Sequence, residues 1–374
     1  MKGMKSLMDC KIFVKDLEDK AKEQIDTMLQ YPQFADKKIR IMPDAHAGAG
    51  CVIGFTADLK DVIVPNLIGV DIGCGVRVTR LGKIDIDFQG LEKYIRNYIP
   101  SGFDVHNNYN KYSLLASALA YTANEYIKEL YCLNELQNLD RLNLSVGTLG
   151  GGNHFIELDV DDEGCKYLVI HTGSRNLGKQ VADYYQNIAK EQCKKDDIIK
   201  GLSYLKGDKR NDYIHDMQLC QKFAEKNRRF IAQVICEYLG VDEYNSFESV
   251  HNYLSPHDNM IRKGAISARK GEQVVIPLNM RDGCILGTGL GNADWKNSAP
   301  HGAGRRLGRR AAKEQLTMED FEKEMKGIYT ESVNTFTLDE APDAYKDKDY
   351  ILDYLKDTVE INKVLKPIYN FKAK

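Results

Sequence analysis

The chain has no long hydrophobic run. Its first twenty residues, MKGMKSLMDCKIFVKDLEDK, hold no seven-residue apolar stretch, and no uncharged segment approaches the roughly 20 apolar residues that a membrane span needs. A cytoplasmic protein with no membrane partner is the expectation. An excess of one charge is missing too: 52 Lys and Arg against 54 Asp and Glu leave a formal net charge of -2. A nucleic-acid partner therefore has to be argued from local clusters. Nine cysteines, odd in number and irregular in spacing, exclude the disulfide framework of a small secreted scaffold and leave thiolate or metal chemistry as their use. The P-loop, H-E-x-x-H and paired C-x-x-C patterns are all absent. LGGGN and GTGLGN are rich in glycine, but neither has the full G-x-G-x-x-G spacing opening a helix.

With 43% hydrophobic residues in 374, the chain can bury a sizeable core. Residues 38–80 alternate apolar runs (IRIMP, CVIGFTA, VIVPNLIGV, VRVTRL) with glycine breaks, which predicts short strands and tight turns. Helical spacing follows at 88–99 and 112–138, and strand with glycine turn returns in SVGTLGGGNHFIEL and YLVIHTGS. From about 177 to 243 the chain reads as a polar, helix-forming insertion. Residues 262–304 read as strand and loop, 305–330 as one helix, and 345–365 as a last helix before the tail KPIYNFKAK. No repeat or linker is visible, so the expected fold class is α+β: one domain over 1–374, with a central mixed β-sheet core and a helical insertion.

Four of the eight histidines stand beside glycine turns at strand ends, where backbone can approach a ligand: His154 in GGGNHFIE, His171 in VIHTGSR, His251 in SVHNYL and His301 in SAPHGAGRR. Asp71 and Cys74 in GVDIGCGV add a carboxylate and a thiolate. Imidazole, carboxylate and thiolate together suit a transition metal of intermediate softness, such as manganese, cobalt or zinc. Arg305, Arg306, Arg309 and Arg310 in GRRLGRRAAK fall at i, i+1, i+4 and i+5, predicting two stacked pairs on a helix that can grip phosphate. Arg175, Arg262, Lys263 and Arg269 are further candidate RNA contacts, and His46 with Asp44 in MPDAHAG is a candidate RNA-end group or a structural turn.

The segments MPDAHAGAGCVIGF, NLIGVDIGCGV, GGGNHFIE, HTGSRNLG, RKGAISA, APHGAGRR and DEAPDAYKD occur in that order from about residue 40 onward. Together they resemble RtcB, the family of 3'-phosphate RNA ligases, in a shorter, bacterial-type form. The resemblance implies the RtcB-like fold and a GTP- and manganese-dependent enzyme joining an RNA 3'-phosphate or 2',3'-cyclic phosphate to a 5'-hydroxyl, in RNA repair or tRNA splicing. It implies two Mn2+ ions on Asp71, Cys74, His154, His171 and His251, and His301 as the nucleophile that accepts GMP. Asn153, Asn252, Gly302, Ala303, Gly304 and Lys372 would bind the nucleotide, with Lys372 on the guanine. Arg175, Arg305 and Arg306 would contact RNA. The family's proline-glycine-serine-methionine turn for the guanosine corresponds here to Gly287-Thr288-Gly289-Leu290, a departure that bears on base preference. A binuclear metal-dependent phosphoesterase and a non-catalytic RNA-binding protein compete with the ligase reading, and a phosphoesterase has no specific use for His301.

Overall fold

Glycine-punctuated apolar runs become strands and the stretches of 3.6 period become helices in a computed structural model, which describes residues 9–373 apart from 35–36, 197, 199 and 244. In chain order the elements are β1 (Cys10–Ile12), α1 (Asp19–Leu29), β2 (Ile39–His46), β3 (Ile53–Asp58), β4 (Gly75–Gly82), α2 (Phe88–Tyr98), α3 (Leu114–Lys128), α4 (Leu139–Asn143), β5 (Phe155–Val160) and β6 (Lys166–Thr172). There follow α5 (Arg175–Gln192), α6 (Asp208–Leu239), β7 (Ser246–Val250), β8 (Asn252–Leu254), β9 (Met260–Lys263), β10 (Ala265–Ser267), β11 (Gln273–Asn279), β12 (Gly283–Gly289) and β13 (Ser298–Pro300). The last are α7 (Arg309–Gln315), α8 (Met318–Glu324), α9 (Lys348–Leu355) and β14 (Val359–Lys372).

Seven strands form one antiparallel sheet in the order β11-β12-β14-β5-β6-β4-β7. Its two edges approach each other, Val275 N donating to Ser249 Oγ at 2.9 Å, so the sheet is nearly closed. A second sheet, β1-β2-β3-β9-β8, is mixed because β1 and β2 pair in parallel. The 32-residue α6 packs on β4 and β6 and against α3 and α5. It buries Phe223, Phe230 and Ile231 completely, each worth about 1.5–3 kcal/mol. The same helix carries Asn227 and Arg228 to the core, and both reach the site below.

Two helix expectations are corrected. Residues 345–365 are not one helix: α9 ends at Leu355, and Val359–Lys372 is a strand between β12 and β5. Ile351, Leu355 and Val359 follow helical i, i+4, i+8 spacing, but long-range pairing on both edges overrides that local signal. Residues 305–330 break into α7 and α8, because Thr317 leaves the helical path to cap α8, its Oγ1 accepting Asp320 N at 3.1 Å. Arg305 and Arg306 lie before α7, so the four arginines do not stack as pairs on successive turns.

Candidate metal centre and nucleophile

The sheet brings the scattered ligand candidates to one end of neighbouring strands. Asp71 and Cys74 lie on the turn entering β4, His154 just before β5, His171 near the end of β6 and His251 between β7 and β8. Glycine is required behind them: a Cβ on Gly173 would stand 2.1 Å from Asp71 Oδ1. From below, Arg228 donates to Gly73 O at 2.7 Å and Thr172 O at 2.9 Å. Asn227 accepts from Gly147 N and donates to Gly173 O, so α6 locks both ligand-bearing turns.

Within this frame His154 Nδ1 donates to Leu149 O at 2.9 Å and His171 Nδ1 to Asn153 O at 3.1 Å. Both rings therefore turn Nε2 inward as a lone pair. His154 Nε2 lies 2.9 Å from Asp71 Oδ2, and Cys74 Sγ lies 3.5 Å from His154 Nε2 and 3.3 Å from His171 Nε2. His171 Nε2 faces His251 Nε2 at 3.3 Å, while His251 Nδ1 is buried with no partner among the described residues. The ligand atoms of Cys74, His154 and His171 lie within 4.8 Å of one another. Burial, helped by the neighbouring His154, keeps His171 neutral well below the ordinary imidazole range, and burial with His301 does the same for His251. Burial and then the Asp71 carboxylate hold the Cys74 thiol well above its usual range, a penalty a bound cation reverses. Lone pairs facing one another and a buried orphan nitrogen fit a divalent metal.

Next to this cluster, the His251 and His301 rings stand 4.8 Å apart. His301 follows β13, and its Nδ1 donates to Asp44 Oδ2 at 2.6 Å, so that in the neutral tautomer the lone pair is on Nε2. Gly304 makes the approach possible: at φ 75° it presses on Asp44, and a Cβ there would stand 2.5 Å from Asp44 O. A cavity of about 320 Å³ joins the cluster to His301.

A family model described as tRNA-splicing ligase RtcB matches residues 24–373. The chain belongs to the RtcB family. Relatives include RNA-splicing ligase RtcB of Escherichia coli (strain K12), 28% identical over 405 residues covering 96% of this chain and 95% of that protein. The tRNA-splicing ligase RtcB of Pyrobaculum aerophilum is 29% identical, covering 84% of this chain and 82% of its own, and that of Nanoarchaeum equitans is 28% identical, covering 91% and 89%.

Most of the remaining candidates surround the same cavity, but Arg175 and Arg306 do not line it. Asn153, Asn252, Gly302, Ala303, Gly304, Arg305 and Lys372 line it. The Asn252 amide is held by backbone, donating to Asp71 O and accepting from Gly264 N, whereas Asn153 is exposed. Lys372 Nζ bonds Glu340 Oε2 at 3.1 Å and Asn153 O at 3.4 Å. Arg305 donates to Glu340 at 3.0 Å and to Asp339 O at 2.5 Å, and Arg306 to Asp343 O. Arg175 opens α5 at φ 58°, a conformation costing a non-glycine residue about 1–3 kcal/mol, with its guanidinium on Thr148 and Gly102. Two other arginines are structural: buried Arg262 bonds Ser298, Tyr253 and Asp258, and Arg269 pairs with Glu272.

The segment expected as the counterpart of the guanosine turn lies away from the cavity. Gly287-Thr288-Gly289-Leu290 belongs to the end of β12, paired between β11 and β14, and none of it lines the cavity. Pro277-Leu278-Asn279-Met280, with proline first and methionine fourth, does line it. Sequence reasoning also missed Glu157, Asn370, Glu340 and Tyr345, which line the cavity end around Lys372. The signal was available for two of them, since Glu340 and Tyr345 sit in the quoted DEAPDAYKD segment.

Proposed function

We propose that this RtcB chain is an RNA ligase that uses GTP and two Mn2+ ions to join an RNA 3'-phosphate, or 2',3'-cyclic phosphate, to a 5'-hydroxyl, in RNA repair or tRNA processing. The observation that carries this reading is the Asp44–His301 pair, an imidazole oriented by a buried carboxylate with its free nitrogen toward a cavity shared with the ligand cluster. A hydrolytic metal site can use such a group only as an acid or base, whereas a nucleotidyl carrier needs it as the nucleophile.

In this reading Asp71, Cys74, His154, His171 and His251 hold the manganese ions, which supply charge neutralisation at the phosphates. His301 Nε2 attacks the α-phosphorus of GTP and pyrophosphate departs. The GMP then passes to an oxygen of the RNA 3'-phosphate, and attack by the 5'-hydroxyl on that activated phosphate releases GMP. Asn153 and Asn252 serve the nucleotide phosphates, and the Gly302-Ala303-Gly304 backbone lets the nucleotide come close to His301. The base lies at the far end, where the Glu157 carboxylate accepts N–H groups of guanine and Lys372 donates to its carbonyl oxygen. Arg175, Arg305 and Arg306 contribute positive charge along the RNA path.

The test is incubation with radiolabelled GTP and Mn2+, with His301→Ala alongside, followed by denaturation. Label retained on the wild-type chain alone supports the reading. No label on either, in metal-loaded protein, sinks it in favour of a binuclear phosphoesterase.

A further inference from the structure

Glu157 and Asp159 stand two residues apart on β5, so their side chains share one face of the strand. Ile156 and Leu158 join the core under α6, whereas Phe155 packs with Val76, Val78, Val275 and Cys284 from strands around the nearly closed sheet. The two carboxyl groups therefore point into the space that the sheet encloses. Both are buried, and only Glu157 reaches the central cavity. They lie within hydrogen-bonding reach of each other, a contact that two carboxyls make only when one carries a proton. Cys284 Sγ–H donates to Asp159 Oδ2 at 3.1 Å, and Asp159 Oδ1 is buried with no partner among the described residues. Asn370 Nδ2–H donates to Glu157 Oε2 at 2.5 Å. Val169 and Tyr167 stand opposite on β6, the Tyr167 hydroxyl going to Asp161, and from β14 comes the charge of Lys372, itself bonded to Glu340. Burial raises both carboxyls, Asp159 to about 6, and the Asp159 charge raises Glu157 further. At neutral pH the pair holds one proton.

The place of that proton decides what Glu157 offers a base. With the proton on Asp159, Glu157 is a carboxylate with about four acceptor positions. Asn370 Nδ2–H fills one and the Asp159 O–H a second, which leaves two for the N1–H and N2–H groups of guanine. Adenine accepts at N1 and donates at N6, so it needs a protonated Glu157. While Asp159 is ionised that proton is already engaged, and only a second proton on the pair frees it.

We propose, resting on the ligase reading above, that Asp159 sets the base selectivity of the nucleotide site by taking the proton of the pair when the base enters, so that Glu157 reads guanine as a carboxylate. The O–H bond on Glu157 breaks and one forms on Asp159. No proton is exchanged with solvent, and the charge of the pair is unchanged. Asp159 touches no part of the nucleotide and acts through Glu157, as a positioning residue.

Labelling of the full chain with Mn2+ is compared for GTP and ATP between pH 8 and pH 5. The ratio of their kcat/KM values cancels the titration of the metal ligands and of His301, which both nucleotides share. In the wild type the ratio is expected to favour GTP and to fall about tenfold per pH unit below about 6, where Asp159 takes a second proton and Glu157 is free to donate. Asp159→Asn keeps a donor to Glu157 and removes the like charge, so its ratio should hold to a pH lower by about one unit or more. Glu157→Gln, fixed as one donor and one acceptor, should lower the ratio about 10²-fold or more at neutral pH. An Asp159→Asn profile that matches the wild type overturns the proposal, as does equal loss of GTP and ATP labelling in that variant, which makes Asp159 structural. Where the variant does not fold, the wild type decides alone, and a ratio that is flat with pH overturns the proposal. A wild-type chain labelled by neither nucleotide strikes the ligase reading, and this proposal with it.

Discussion

Asp44 holds His301 twice with one oxygen: Oδ2 accepts the backbone N–H at 3.0 Å and the ring Nδ1–H at 2.6 Å, while Oδ1 is buried without a partner among the described residues. An amide in place of this carboxylate keeps the shape but offers an N–H to one of the two donors, or accepts more weakly from both. Asp44→Asn is expected to slow GMP labelling of His301 by at least about 10²-fold with little loss of stability. Rapid-quench labelling beside a thermal melt checks this, and unimpaired labelling would contradict the orienting role.

The support under the ligand turns is equally specific. Asn227 is fully buried and bonds Gly147 N, Thr148 N, Thr148 O and Gly173 O. Asn227→Ala leaves several of these groups unpaired in the core, and should cost about 3 kcal/mol or more. The denaturant midpoint reads this directly. A shift under about 1 kcal/mol would mean that water or a neighbour replaces the amide.

Those two residues illustrate what the sequence made legible. His154, His171, His251, Asp71 and Cys74 were readable because unusual residue types sat on glycine turns, and the structure brings all five together. The Asp44–His301 bond was not, because 257 residues separate the partners and only the topology unites β2 with the loop after β13. Asn227 does leave a trace, a polar residue on the apolar stripe of α6 between Phe223 and Phe230. The strand Val359–Lys372 was missed because its neighbours, β12 and β5, are remote in the chain, and local spacing cannot report pairing at that distance.

Acid should act on Glu340. Burial opposes its charge, but Lys372, Arg309 and Arg305 hold its carboxyl at about 2, against an ordinary 4.5. Its stabilising contribution is fully present above pH 4.5 and is lost as the pH falls from there toward 2, a difference of about 3 kcal/mol. Glu340→Gln should lower stability at neutral pH and flatten this acid limb. Urea midpoints at pH 7, 4 and 3 test it, and identical slopes in both proteins would refute the assignment.

Metal should report on the cluster independently of RNA. Mn2+ added to metal-free protein is expected to raise the melting temperature, more at pH 8 than at pH 6, because Cys74 and the imidazoles bind only when deprotonated. Cys74→Ser should lower both the shift and the number of ions bound, read by calorimetry. An unchanged stoichiometry would remove Cys74 from the ligand set.

The strand Val359–Lys372 runs through the middle of the seven-stranded sheet, zipped on one side to β12 and on the other to β5, about two hundred residues earlier in the chain. During synthesis β5 therefore waits with one edge open while about two hundred further residues leave the ribosome. The cavity wall bearing Asn370 and Lys372 forms only after β5, β6 and the histidine-bearing turns have been made, so a partly made chain holds its histidines without yet having the closed cavity.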